Sequence, residues 1–150
     1  MPEKAIVDTS VLIALERINM LNVLCKIYSN IVLPEAVIGE FGPLSIECYS
    51  SEKVDSTLVG LLVSDLNLGR GEAESIALAS QTGLKLVLDD LKARKAAVNL
   101  GLKVTGTIGI LLKAESLALI DSAYEKAREL RDKGFYISDQ LLSKLSRYAK

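Results

Sequence analysis

A chain of 150 residues, nearly half apolar and a quarter charged, has room for one packed core and little for a second. A formal net charge of -1 and a pI near 5.6 exclude a protein that coats nucleic acid through a general excess of Lys and Arg. The complete lack of histidine excludes a Ser-His-Asp triad, a Cys-His pair and a histidine-ligated zinc site, so any chemistry runs on carboxylates, hydroxyls, Lys, Arg or thiols.

Along the chain, residues 4–7 are short and β-rich and predict a buried strand ending at Asp8. A brief helical turn is expected over 11–15 and helical spacing over 21–28. Ile31-Val32-Leu33 predicts a second strand, and Pro34 suits the first turn of a helix continued by 35–41 and stopped by Gly42-Pro43. The segment 44–65 reads as a helix followed by a strand around 61–63. Gly69-Arg70-Gly71 opens a helix over 72–82, closed by Gly83. Residues 84–88 form the clearest strand, ending in Asp89-Asp90. A helix over 92–100 stops at Gly101, a last strand covers 102–104, and Thr105-Gly106-Thr107 leads into a helix over 108–114. Asp121 is the expected N-cap of a helix whose apolar face is Ala123, Ala127 and Leu130. A final helix spans 138–147.

Strands alternating with helices imply parallel pairing, hence one α/β domain over 1–150, a three-layer α/β/α sandwich around a central parallel sheet. The N-terminal Met1-Pro2-Glu3-Lys4 does not read as a signal peptide, and the longest apolar runs are too short to span a bilayer. A cytoplasmic protein without membrane contact is expected. Cys25 and Cys48 form no CxxC pattern; buried thiols are the expected state, with one disulfide as the alternative.

In open parallel sheets, ligands bind beyond the C-terminal ends of the strands. Asp8 and Asp89-Asp90 end two such strands, where the ordinary role of an aspartate is to cap the next helix or turn. Glu72 lies in the first turn of its helix, on the flank of an apolar face centred on Ala73, Ile76 and Ala79. At roughly 100° per residue Glu74 points nearly opposite, toward solvent. Glu72 on its own is also a favourable charge at a helix N-terminus, stabilising by roughly 0.3–1 kcal/mol. Glu40, near a helix C-terminus, sits on the unfavourable side of the helix dipole and needs another reason to be there. Clustered carboxylates raise one another's pKa unless a cation neutralises them, and hard oxygen ligands suit Mg²⁺ or Mn²⁺.

Taken in order, Ile6-Val7-Asp8-Thr9-Ser10, the helix from Pro34 to Glu40, Gly71-Glu72-Ala73-Glu74-Ser75-Ile76-Ala77-Leu78-Ala79 and Leu86-Val87-Leu88-Asp89-Asp90 resemble a PIN domain, the nuclease fold of many prokaryotic toxin–antitoxin ribonucleases. Thr105-Gly106-Thr107-Ile108-Gly109 and the stretch from Gly134 to Leu142 look closest to a poorly characterised prokaryotic subgroup. The resemblance implies catalytic, metal-holding acids at Asp8, Glu40, Glu72 and Asp90, with Asp8 central and Mg²⁺ or Mn²⁺ as cofactor. Thr9, Ser10 and Asp89 assist those acids, and Arg94 is placed to meet a substrate phosphate or to remain a solvated charge. It implies hydrolysis of RNA leaving a 5′-phosphate, a homodimer, and an antitoxin protein as partner if the chain is a toxin. Two positions depart from the family pattern: Glu72 stands where aspartate is usual, and Leu88 replaces a common hydroxyl residue two places before the last acid.

Two other readings compete. A receiver-like phosphoacceptor also gathers aspartates at a sheet edge, but there the acidic pair follows the first strand and here it comes late. A non-catalytic PIN-like protein would bind RNA or a partner without cutting. Gly69-Arg70-Gly71 lacks the third glycine of a dinucleotide loop, and the segment 101–107 lacks a P-loop lysine after Gly106.

Overall fold

In the computed structural model, which describes residues 3–147, the chain order is β1 (Ala5–Val7), α1 (Thr9–Arg17), a 3₁₀ turn at Leu21–Val23, α2 (Leu24–Ile27), β2 (Ile31–Pro34), α3 (Glu35–Phe41) and β3 (Tyr49–Glu52). Then come α4 (Thr57–Leu66), α5 (Arg70–Thr82), β4 (Lys85–Val87), α6 (Leu91–Asn99), β5 (Val104–Thr105), α7 (Thr107–Ser116), α8 (Ala123–Asp132) and α9 (Asp139–Arg147). Met1 and Pro2, the expected run-in to the first strand, lie outside the described residues.

The strands form one parallel sheet in the order β3-β2-β1-β4-β5. Its centre, β1, is buried on both faces, as the uninterrupted Ala5-Ile6-Val7 requires. Ala5, Val7, Ile31, Leu33 and Val87 join α1, α2, α7, α8 and α9 in one core. Ile6, Val32, Leu86 and Leu88 face α4, α5 and α6 in the other. The expected three-layer sandwich is therefore the observed one. From β1 the chain runs outward through β2 to β3, then returns to the far side of β1 for β4 and β5. The order in which strands are added reverses between β1 and β4, where the loops after the two strands run to opposite faces of the sheet, the position at which such folds bind ligands.

Four local expectations need correction. The segment 44–65 holds a strand first and a helix second: β3 is an edge strand, three of whose four residues are exposed, so it carries no apolar signature. The leucine run 58–62 belongs to α4, started by Ser56, whose hydroxyl accepts the Leu58 amide at 3.1 Å. The N-cap before α8 is Ser122, accepting from the Glu125 amide, and Asp121 is exposed beside it. Cys25 and Cys48 are half-buried and joined as a disulfide rather than free thiols. Glu74 is the fourth, taken up with the site below. Among the described residues no helix is long and apolar enough to cross a membrane.

Candidate active site

The acids gather at the crevice between β1 and β4. Asp8 follows β1 directly and is 2% exposed. It occupies the N-cap position of α1, yet its side chain accepts no capping hydrogen bond. Ser10 donates its hydroxyl to one carboxylate oxygen at 3.2 Å, and the other, Oδ1, is buried without a partner. An orphaned carboxylate oxygen costs free energy that a helix cap would have recovered, so the ordinary explanation of a strand-end aspartate fails here. Burial, and next the charge of Glu72, push the Asp8 carboxyl from the usual 3.8 up to about 6.

Asp90 behaves differently. It is the N-cap of α6 in fact as well as position, Oδ2 accepting the Ala93 amide at 2.9 Å, and it is exposed. Glu72 turns back to accept the Gly69 amide at 3.1 Å, so its capping role at the start of α5 is real. Its carboxyl is nonetheless raised, chiefly by burial and then by the charges of Asp90 and Glu40, against the lowering effect of the Gly69 amide and Lys92. Glu40, exposed near the end of α3, accepts the Thr9 hydroxyl at 3.3 Å and lies against Gly71. All four expected acids thus lie along one edge, with Asp8 innermost and Thr9 and Ser10 each touching one.

Asp89 is turned elsewhere. It accepts both the amide and the hydroxyl of the buried Thr107, at 2.7 and 2.5 Å, and so ties the loop after β4 to the N-terminus of α7. Sequence reasoning places Thr107 only within a helix entry; the one available signal is a hydroxyl at a helix start. Arg94 is half-buried and donates to the Leu88 carbonyl at 3.2 Å, so it is no freely solvated charge.

Glu74, expected in solvent, is 6% exposed. It accepts the Ala36 amide of α3 at 3.2 Å and pairs with Arg70 at 3.0 Å. The reason is that α5 is buried almost all round from Ala73 to Ala79, so a polar face opposite the apolar one does not exist there.

The donor chemistry fits a hard divalent cation: oxygen ligands only, a buried acid with a free oxygen, and neighbours whose charges oppose one another's ionisation. The side chains are spread along the edge, Asp90 and Glu72 as helix caps and Asp8 and Glu40 against hydroxyls of α1, and among the described residues no three acids stand close enough to enclose an ion.

A parallel α/β sheet with carboxylates at its topological switch point defines a class of acid-edged α/β folds. Residues 4–150 match the family model described as a PIN domain, and the chain belongs to that family, whose members are generally nucleases that use divalent metals. No curated protein matches the chain.

Proposed function

We propose that this protein is a divalent-metal-dependent endoribonuclease, acting as the toxin of a toxin–antitoxin pair. The observation that carries this reading is Asp8: a buried carboxylate, excused from capping, with one oxygen unpartnered beside Glu72 at the sheet's switch point. Asp8, Glu72, Asp90 and Glu40 are the residues to hold Mg²⁺ or Mn²⁺. Bound there, such an ion supplies an acidified water and neutralises charge on a phosphoryl oxygen. Ser10 fixes the Asp8 carboxylate and Thr9 that of Glu40. Asp89 holds the loop through Thr107, and Arg94, at the rim, meets a phosphate of the strand.

The deciding experiment is cleavage of a mixed single-stranded RNA pool with Mg²⁺ or Mn²⁺, comparing wild type, Asp8→Asn and an EDTA control. Cutting that yields 5′-phosphate ends and is lost in the variant is expected. One observation favours a non-catalytic alternative, namely that the described acids do not close on an ion as they stand. Calorimetric titration of Mn²⁺ separates the two, because that alternative requires no heat of binding sensitive to Asp8.

The toxin role predicts growth arrest on expression, relieved by Asp8→Asn and by a co-expressed antitoxin. A cytoplasmic location belongs to the same proposal, as does a homodimer. The exposed Leu61, Leu66 and Leu100 between α4 and α6 are the face proposed for the second copy. Sedimentation of wild type against Leu61→Lys is the check.

A further inference from the structure

Beside the acids, a groove of about 880 Å³ opens between the end of β5, the start of α7 and the loop joining α8 to α9. Its inner end adjoins the acid edge through Ser10, which lines the groove and donates to Asp8; Asp89 and Arg94 line the groove beside it. Its outer end is formed by Phe135, Tyr136 and Ile137. Tyr136 is 83% exposed, and Leu91 on the opposite rim is 82% exposed. Burial of core side chains therefore does not account for either.

The loop that carries Tyr136 is held in place. Gly134 takes a φ of +99°, which ends α8 and lets the Phe135 amide reach the Leu130 carbonyl at 3.1 Å. Arg131 and Asp139 close its base at 2.7 Å. The backbone that carries the ring is thus held, which lowers the ordering cost of anything that stacks on it.

At the inner end, Arg94 makes no ion pair among the described residues. It lies close to Gly106, where any side chain would collide with both its guanidinium and the Asp89 carboxylate. Glycine at 106 keeps that corner open. The groove therefore offers an exposed aromatic face, apolar walls with hydroxyls from Thr105 and Ser138, and a cation, Arg94, that is held by the Leu88 carbonyl and not by an ion pair. Sequence-tolerant binding of single strands uses these elements: rings for bases to stack on and a cation for the backbone.

We propose that this groove receives the unpaired bases flanking the scissile bond, with Tyr136 as the stacking platform and Arg94 as the phosphate contact at its inner end. The proposal rests on the ribonuclease reading and adds the path of the strand. RNA is favoured over a protein segment because Ser10 sets the groove's inner end beside Asp8, and the only full charge lining it that is not already hydrogen-bonded to Thr107 is positive.

The test is fluorescence anisotropy of a labelled RNA hexamer and an abasic hexamer, in an Asp8→Asn background that leaves RNA uncut. Tyr136→Ala weakens hexamer binding on the order of five- to hundredfold, and Tyr136→Phe restores it. The abasic strand binds weakly and indifferently to residue 136. Circular dichroism confirms that the variants fold, as expected for so exposed a side chain. Hexamer affinity unchanged by Tyr136→Ala, including a groove occupied by protein instead, overturns the proposal. So does failure to bind the hexamer at all, even where the wild type cuts RNA. Binding that depends on Tyr136 in a protein that never cuts overturns the nuclease reading alone.

Discussion

The carboxylate of Glu40 fills the space that a side chain on Gly71 would need. A Cβ built on Gly71 collides with Glu40 Oε1 and comes within 3.3 Å of the Thr9 hydroxyl. The helix α3 end and the helix α5 start are therefore interlocked at the acid edge, and the small residue of Gly71-Glu72 is the condition for Glu40 reaching it.

Gly71→Ala follows as a way to move one acid without disturbing the fold. The position is helical, where alanine is better than glycine by about 1 kcal/mol. The clash is with the free end of an exposed, flexible side chain, which can swing away. Urea unfolding is expected to change by less than about 1 kcal/mol, while RNA cleavage falls at least tenfold. Cleavage at the wild-type rate would mean that Glu40 has no part in the site.

Asp8 makes the metal-free fold pH-dependent. Its carboxyl is raised to about 6 in the folded state by burial and by Glu72, against the usual 3.8 when unfolded. The folded state thus binds the proton more tightly, so stability is complete below about pH 4 and declines as pH rises through about 6. That difference corresponds to about 3 kcal/mol at most. In EDTA, Asp8→Asn is expected to be more stable than wild type at pH 7.5 and about equal at pH 4. Divalent ions should raise the melting temperature of the wild type alone. A variant less stable at both pH values would show that the carboxylate is structural.

Much of this site is legible in the sequence because short β-rich runs end in Asp8 and Asp89-Asp90, and parallel topology sends such ends to one edge. The role of each acid is not. Asp8 and Asp90 look alike in sequence, yet only Asp90 turns its side chain onto its helix, a distinction no local pattern carries. Glu74 is misplaced by amphipathic phasing, which assumes one solvent face, whereas α5 lies between α3, α4, α6 and the sheet. β3 escapes notice because Tyr49-Ser50-Ser51-Glu52 is held by ladder hydrogen bonds at an edge and buries little. The groove near Tyr136 joins four separate segments, from α1, the start of α6, the entry to α7 and the α8–α9 loop, which no local pattern reveals.

Glu72 and Glu74 are expected to separate cleanly on mutation. Glu74→Ala removes the acceptor of the Ala36 amide and the buried end of the Arg70 pair. A loss of about 2 kcal/mol is expected from the unsatisfied amide and lost contacts, with the folded fraction still cutting RNA. Glu72→Gln keeps an acceptor for the Gly69 amide and should unfold near the wild-type midpoint, yet lose most cleavage. Paired urea titrations and single-turnover assays would decide; equal activity loss in both would merge the two roles.

The disulfide lies at the opposite edge from the acids. Cys48 precedes β3, its carbonyl accepting the amide of Ile31 at the start of β2, and Cys25 lies in α2. The bond closes a loop across a sequence separation of 23, for which chain entropy gives about 3 kcal/mol. Reduction, or Cys25→Ala with Cys48→Ala, is therefore expected to lower the urea midpoint substantially and leave the cleavage rate of the folded protein unchanged. Intact-mass measurement after alkylation reports whether the bond is present before each titration. Lost activity at unchanged stability would show that the two edges of the sheet are coupled, and would require strain to travel along β2 to Pro34 and Glu40.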